Sequence, residues 1–143
     1  MTNVAQVLSE KMYQAIYTIR PDSTVLEAIT LMAEKGIGAL VVTHEDSVVG
    51  ILSERDYTRK IALMQRTSFD TTVNEIMTSK VITVTSATTV EDCLSLMTDR
   101  HLRHLPVVEH EKLIGLISIG DLVKAAMEDQ RKLIEQLQQY ISG

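Results

Sequence analysis

Shifted against itself by 65 positions, the chain aligns residues 17–57 with residues 82–122 without a gap, and ten of the 41 pairs are identical. The identical pairs are Thr18/Thr83, Thr24/Thr89, Val25/Val90, Leu31/Leu96, Met32/Met97, Leu40/Leu105, Val42/Val107, Gly50/Gly115, Ser53/Ser118 and Asp56/Asp121. Many other pairs are conservative, among them Ile19/Val84, Glu27/Asp92 and Lys35/Arg100, and Met12 meets Met77 at the same offset. A register that keeps glycine, serine and aspartate in step identifies a tandem duplication, so one supersecondary unit must account for both copies.

Each copy opens on a short β-branched or apolar run, residues 16–19 and 81–84, which predicts a strand. Thr24 and Thr89 then stand three residues before Glu27 and Asp92, the pattern of a helix-start capping box. Val25, Ala28, Ile29 and Met32 follow at helical spacing, matched by Val90, Cys93, Leu94 and Met97. Apolar runs at 39–43 and 47–52 flank the polar residues His44, Glu45 and Asp46. Runs at 105–108 and 113–117 flank residues 109–112 in the same way, so each copy contains a predicted hairpin with a turn of three or four residues. A second helix is expected from Ser53 and from Ser118. The fold class is therefore α/β, with two pseudo-symmetric β-α-β-β-α repeats; residues 1–65 hold the first, and residues 66–143 hold a polar connection (66–72), the second repeat and the C-terminal helix. A repeat of about 55 residues hides its sheet face poorly alone, so the two sheets are expected to pack face to face with helices outside. In the last helix Val123, Met127, Ile134, Leu137 and Ile141 follow a seven-residue pattern that Gln130 interrupts. That stripe serves either its own domain or a partner helix in a dimer.

Composition narrows the function. The 143 residues are 45% hydrophobic and 23% charged, ordinary values for a globular chain and not for a disordered one. No apolar run reaches the roughly 18–20 residues that a membrane span needs, and residues 1–6 lack the features of a signal peptide. A net charge of −5 and five aromatic residues argue against nucleic-acid binding. A single cysteine, Cys93, excludes an internal disulfide and suits a reducing cytoplasm. Because Cys93 falls on the apolar helix face, a buried core thiol is expected rather than a nucleophile. His101 and His104 could offer two metal ligands, but no third of matching spacing is evident, and no catalytic constellation is visible.

The residues richest in chemistry are Gly50-Ile51-Leu52-Ser53-Glu54-Arg55-Asp56 and Gly115-Leu116-Ile117-Ser118-Ile119-Gly120-Asp121. Each reads as a strand that ends in serine and turns directly into a helix, where free amides and the helix dipole favour an anion. The serine hydroxyl can donate to a phosphate, and an aspartate one turn later can accept from the two hydroxyls of a ribose. The glycine permits close approach of another backbone or of a ligand ring. The same Ser-x-x-Asp spacing is equally that of a plain capping box. Arg103 and His104, before the fifth predicted strand, could contact phosphate oxygens, and Arg55, Arg59 and Lys60 begin the second helix of copy one.

Two copies that each close on Gly-h-h-Ser-x-x-Asp (h, apolar) resemble paired cystathionine-β-synthase (CBS) domains, the tandem called a Bateman module. Arg103-His104-Leu105-Pro106-Val107-Val108 is similar to a run common in bacterial CBS domains, and Ile37-Gly38-Ala39-Leu40-Val41-Val42 and Ser53-Glu54-Arg55-Asp56-Tyr57 resemble first repeats of small stand-alone members. The resemblance implies a non-catalytic sensor that binds AMP, ADP, ATP, NAD or S-adenosylmethionine in clefts between the repeats. It implies that Asp56 and Asp121 bind ribose, that Ser53 and Ser118 face phosphate or ribose, and that Thr18 and Thr83 lie near the adenine. It also implies phosphate contacts for Arg103 and His104, and makes Arg55 a plausible one. Gly38 and Ala39 stand where copy two has Arg103 and His104, so the two sites are expected to be unequal, with that of Asp121 favoured. A homodimer acting on an effector protein in trans is expected. The alternative is an interaction module whose nucleotide clefts are vestigial.

Overall fold

The computed structural model describes residues 2–11 and 16–142. Met12, paired above with Met77, lies outside the described residues. Copy one contains β1 (Thr18–Ile19), α2 (Val25–Lys35), β2 (Ala39–His44), β3 (Ser47–Ser53) and α3 (Glu54–Tyr57), which widens into a π-helical stretch over Thr58–Ala62. Copy two contains α5 (Val90–Arg100), β4 (His104–Glu109), β5 (Lys112–Ser118) and α6 (Ile119–Ser142). Two short helices precede the copies, α1 (Val4–Glu10) before copy one and α4 (Val73–Ile76) before copy two.

Local chemistry explains the helix boundaries. The Thr24 and Thr89 side chains accept from the Glu27 and Asp92 amides, each at 3.1 Å, and so start α2 and α5 as their spacing predicts. Both helices end on a left-handed residue, Gly36 at φ 63° and His101 at φ 56°, whose N–H groups return to Met32 and Met97. The hairpin turns are shorter than expected. Glu45 and Asp46, and likewise His110 and Glu111, all have φ between 49° and 67°, which makes two-residue turns of the type that matches strand twist.

The opening strand is long enough to form a ladder only in copy one. β1 runs parallel to β2, with Thr18 opposite Val41 and Ile19 opposite Val42, and β3 completes the sheet antiparallel to β2. In copy two the strand expected over residues 81–84 is reduced to one bridge, Val84 to Val107. Val84 donates to the Pro106 carbonyl at 3.0 Å and accepts from Val108 at 2.9 Å. The preceding rung would need an N–H on residue 106, and proline has none.

The described chain forms two compact units that do not follow chain order. Among the described residues, unit 1 contains 2–11, 83–109 and 114–142, and unit 2 contains 16–82 and 110–113. The helix ahead of copy one thus belongs with copy two, and the helix ahead of copy two belongs with copy one. In unit 1, Val4 and Ala5 donate to Thr88 and Ser86, both at 2.9 Å, and Val90 donates to Thr2 at 3.0 Å. In unit 2, Val73 and Asn74 donate to Ser23 and Pro21 at 2.8 and 2.9 Å, and Val25 donates to Thr71 at 2.8 Å. Both short helices carry reciprocal capping boxes, Asn3 with Gln6 and Thr72 with Glu75. The core of unit 2 gathers Val25, Ala28, Met32, Leu40, Val42, Leu52 and Ile61 around Val73 and Ile76 of α4. In unit 1, Val4, Val7, Val90, Cys93, Met97, Leu105, Val107, Ile117 and Leu122 are buried.

The conserved-register glycines serve these docked helices. A Cβ on Gly115 would lie 2.7 Å from Leu8 Cδ2, and one on Gly50 would lie 2.5 Å from Met77 Sδ. A side chain of the flanking segment therefore fills the space read from sequence as room for a backbone or ligand ring. Gly115→Val is expected to cost about 1–3 kcal/mol by overpacking. Leu8→Ala in that background should restore part of the loss, with a coupling of about 0.5–3 kcal/mol in a urea double-mutant cycle. Strict additivity would show that Leu8 does not occupy that position.

Candidate functional site

Both Ser-x-x-Asp motifs lie at the junction of the last strand of a hairpin and the helix that follows. In unit 2 the Ser53 amide and hydroxyl donate to Asp56 Oδ2 at 2.9 and 3.1 Å, and the Asp56 amide donates to Ser53 Oγ at 3.2 Å. In unit 1 the Ser118 amide donates to Asp121 Oδ2 at 2.9 Å, and the Asp121 amide donates to Ser118 Oγ at 3.2 Å. Each motif is a reciprocal capping box. The first helical amides are engaged as well, Glu54 donating to Gly38 O at 3.0 Å and Ile119 to Arg103 O at 2.9 Å. The helix starts are thus less open to an anion than their sequence suggests.

Each carboxylate also carries a cation. Asp56 Oδ1 lies 3.5 Å from Lys60 Nζ, and Thr78 Oγ1 donates to it at 3.4 Å. The Lys60 ammonium also donates to the Ile76 carbonyl at 2.8 Å, anchored by the widened helical stretch. Asp121 Oδ2 accepts from Lys11 Nζ at 3.0 Å, and the same ammonium donates to the Leu116 carbonyl at 3.0 Å. Burial raises the Asp121 pKa, but the Ser118 amide and the Lys11 ammonium outweigh it and hold the carboxyl below its ordinary value. Asp121 is therefore an anion at neutral pH.

The remaining predicted residues divide between the units. In unit 2, Thr18 and Ser53 share one end of the sheet, because Thr18 pairs with Val41 while Ser53 pairs with Ala39. Thr18 is exposed, as is Arg55 at the start of α3. In unit 1, the Arg103 carbonyl meets the α6 start through Ile119, and its side chain is exposed. His104 is half-buried as the first residue of β4, and Thr83 is exposed beside Val84. Gly38 and Ala39 replace Arg103 and His104 in unit 2, so the two helix starts differ in charge as well as in cation.

Sequence reasoning missed Lys11, which lies 110 positions from its partner carboxylate. A signal existed at a second offset. Asn3, Gln6 and Lys11 match Thr72, Glu75 and Lys80 at 69 positions, which marks a flanking helix duplicated along with the repeats.

A cavity of about 460 Å³ opens elsewhere in unit 2, lined by Pro21, Asp22, His44, Val49, Thr72, Asn74 and Met77. None of the predicted site residues lines it. In copy two, Ser86 and Glu109 occupy the positions of Pro21 and His44 and are joined by hydrogen bonds of 2.8 and 2.5 Å. Cys93 is fully buried, and desolvation pushes its thiol up to about 11, so it is an inert core group. Among the described residues no group of three or more His, Cys, Asp or Glu side chains is placed to hold a metal ion, and no helix is long and apolar enough to cross a membrane.

These features define a tandem module of two β-α-β-β-α repeats, each closed by a capped strand-to-helix junction. The CBS domain family model matches residues 4–63 and 73–128, and the chain belongs to that family, whose domains are non-catalytic. It is 42% identical over 127 residues to the mitochondrial CBS domain-containing protein CBSX3 of Arabidopsis thaliana, covering 85% of this chain and 62% of that protein's length. A solved protein with CBS domains from Burkholderia ambifaria superimposes with a TM-score of 0.86 at 52% identity, over 90% of this chain and 96% of the other. The crystal structure of CBSX2 in complex with AMP matches with a TM-score of 0.74 at 26% identity, over 91% of this chain and 99% of that one.

Proposed function

We propose that the protein is a sensor of adenine nucleotides, with AMP, ATP or NAD as ligand, acting in the cytoplasm as a homodimer on an effector in trans. The observation that carries this reading is the ionised Asp121 at the start of α6, with Lys11 on its carboxylate and Arg103 at the same turn. A ribose needs an acceptor of this kind, and its phosphate needs nearby cations. In the proposed arrangement Asp121 and Asp56 accept from ribose hydroxyls, and Ser118 and Ser53 lie beside the sugar or phosphate. Arg103, His104 and Arg55 meet the phosphate, and Thr83 and Thr18 flank the adenine. Each set draws on both repeats' stretches of chain, Lys11 from residues 1–65 serving Asp121 and Thr78 from residues 66–143 serving Asp56. The AMP bound by CBSX2 supports an adenine nucleotide as the class of ligand.

The reciprocal boxes favour one other reading, an interaction module with vestigial clefts, because both aspartates already tie off their own backbone. Thermal melts of nucleotide-stripped protein with AMP, ATP, NAD and S-adenosylmethionine separate the two. A mononucleotide of about 23 heavy atoms at ~0.3 kcal/mol per atom binds near 10 µM. At a hundredfold excess over that constant it adds about 2.7 kcal/mol, which is several degrees for a chain of this size. No shift at millimolar ligand would leave the interaction module standing.

A further inference from the structure

From residue 131 onward every described position of α6 is exposed. This stretch carries Leu133, Ile134, Leu137, Tyr140 and Ile141, with Tyr140 86% and Ile141 83% accessible. Closer to the body of the unit, Val123 and Met127 are exposed on the same helix. An isolated helix of about a dozen residues is marginal in water, so these turns need cover. Val123, Gln130 and Leu137 alternate with Met127, Ile134 and Ile141 at spacings of four and three, the two seam positions of a coiled coil. Leu133 and Tyr140 extend the stripe along one flank, in line with Ala126. The opposite side holds Arg131, paired with Glu128 and Glu135 of its own helix.

We propose that this stripe is the dimer contact, with α6 packing antiparallel against α6 of a second copy. The proposal rests on the homodimer in the reading above and names its surface, and it does not depend on nucleotide binding. The occupant follows from self-complementarity. An antiparallel two-fold about residue 132–133 sets Val123 against Ile141, Met127 against Leu137 and Gln130 against Ile134 of the second copy. On the flank it sets Leu133 against Leu133 and the large Tyr140 against the small Ala126. A parallel pair would instead turn Leu133 toward Gln138 and Ala126 toward Arg131, leaving the apolar flank at the rim. The two Arg131 side chains approach near the axis, each already neutralised by two acids of its own helix. At their accessibilities the seven exposed apolar residues offer on the order of 800 Å² per copy, which is what a standard interface buries on each side.

Sedimentation of the full chain tests this, with the wild type expected at twice the chain mass. Ile134→Glu with Leu137→Glu alters only side chains exposed in the single chain, so folding is retained, and dimerisation should weaken at least a hundredfold. Leu133→Cys should form a disulfide-linked dimer on mild oxidation, whereas Gln130→Cys should not. The native thiol at Cys93 is buried and gives little background. A double-glutamate variant that still sediments as a dimer would show that the contact lies elsewhere while the homodimer stands. A monomeric wild type at several hundred micromolar would remove both. Cross-linking through Gln130→Cys and not Leu133→Cys would overturn the antiparallel pairing.

Discussion

Val4→Asp is expected to lower the melting temperature by about 10–15 °C, the largest effect of any single substitution considered. Val4 is fully buried, and its own amide is one of the bonds that tie α1 to copy two. A carboxylate at this position has no basic partner on its own helix, since α1 has no basic residue in its last turn and none between residues 4 and 10. An unpaired charge buried in this way costs about 3–5 kcal/mol, and for about 140 residues each kcal/mol moves the midpoint by roughly 3–4 °C. Glu10→Ala on the exposed side of the helix serves as the control and should change stability by less than about 0.5 kcal/mol. Hydrogen exchange supplies a local readout, because the Val90 amide donates to Thr2. In the variant that amide should lose protection ahead of α2 and β2. A melt within about 2 °C of wild type would show that α1 is not part of the folded unit.

Asp121→Ala should act on both stability and ligand response. It leaves the Ser118 amide and the Lys11 ammonium without their shared acceptor, Oδ2. Loss of such a cap costs about 1–2 kcal/mol, or some 3–7 °C for this chain. Measured against its own unliganded melt, the variant should show almost none of the shift that a nucleotide gives the wild type. Asp56→Ala should retain a larger part, because its unit has Gly38 and Ala39 in place of Arg103 and His104. Equal losses from the two variants would contradict unequal sites. The acid limb provides a separate check that needs no ligand. The Asp121 carboxyl is held below its ordinary value in the fold, so its contribution is fully present above pH about 4 and disappears as the pH falls through the folded value. The stability difference between wild type and Asp121→Asn should therefore be constant near neutrality and shrink in strong acid. A difference that grew toward low pH would reverse the assigned direction.

Long-range register and helix capping were legible in the sequence, while short or distant contacts were not. The Thr-x-x-Glu and Thr-x-x-Asp spacings located the starts of α2 and α5, and the alternation of apolar runs located both hairpins. Helices α1 and α4 escaped because seven and four residues are too few for a helical period to register. Their capping boxes were visible, but at an offset of 69 positions rather than 65. Pro106 reads as part of an apolar run, and only the pairing pattern shows that its missing N–H ends a ladder. The turns at Glu45-Asp46 and His110-Glu111 adopt left-handed backbone without glycine or asparagine, so composition suggested longer loops. The serine–aspartate junctions were found by sequence, but capping and ligand binding demand the same residue types at the same spacing. Geometry shows the capping bonds, together with the Lys11 contact that no local pattern contains.

The crossed docking of α1 and α4 bears on how such a chain can be inherited. A fragment encoding residues 1–65 would carry a helix shaped for a repeat it does not contain, and would lack the one its own repeat requires. Recombination at the connection would scatter mismatched pieces instead of exchanging finished modules. With each half holding the leading helix that the other half packs against, the two halves must be inherited together.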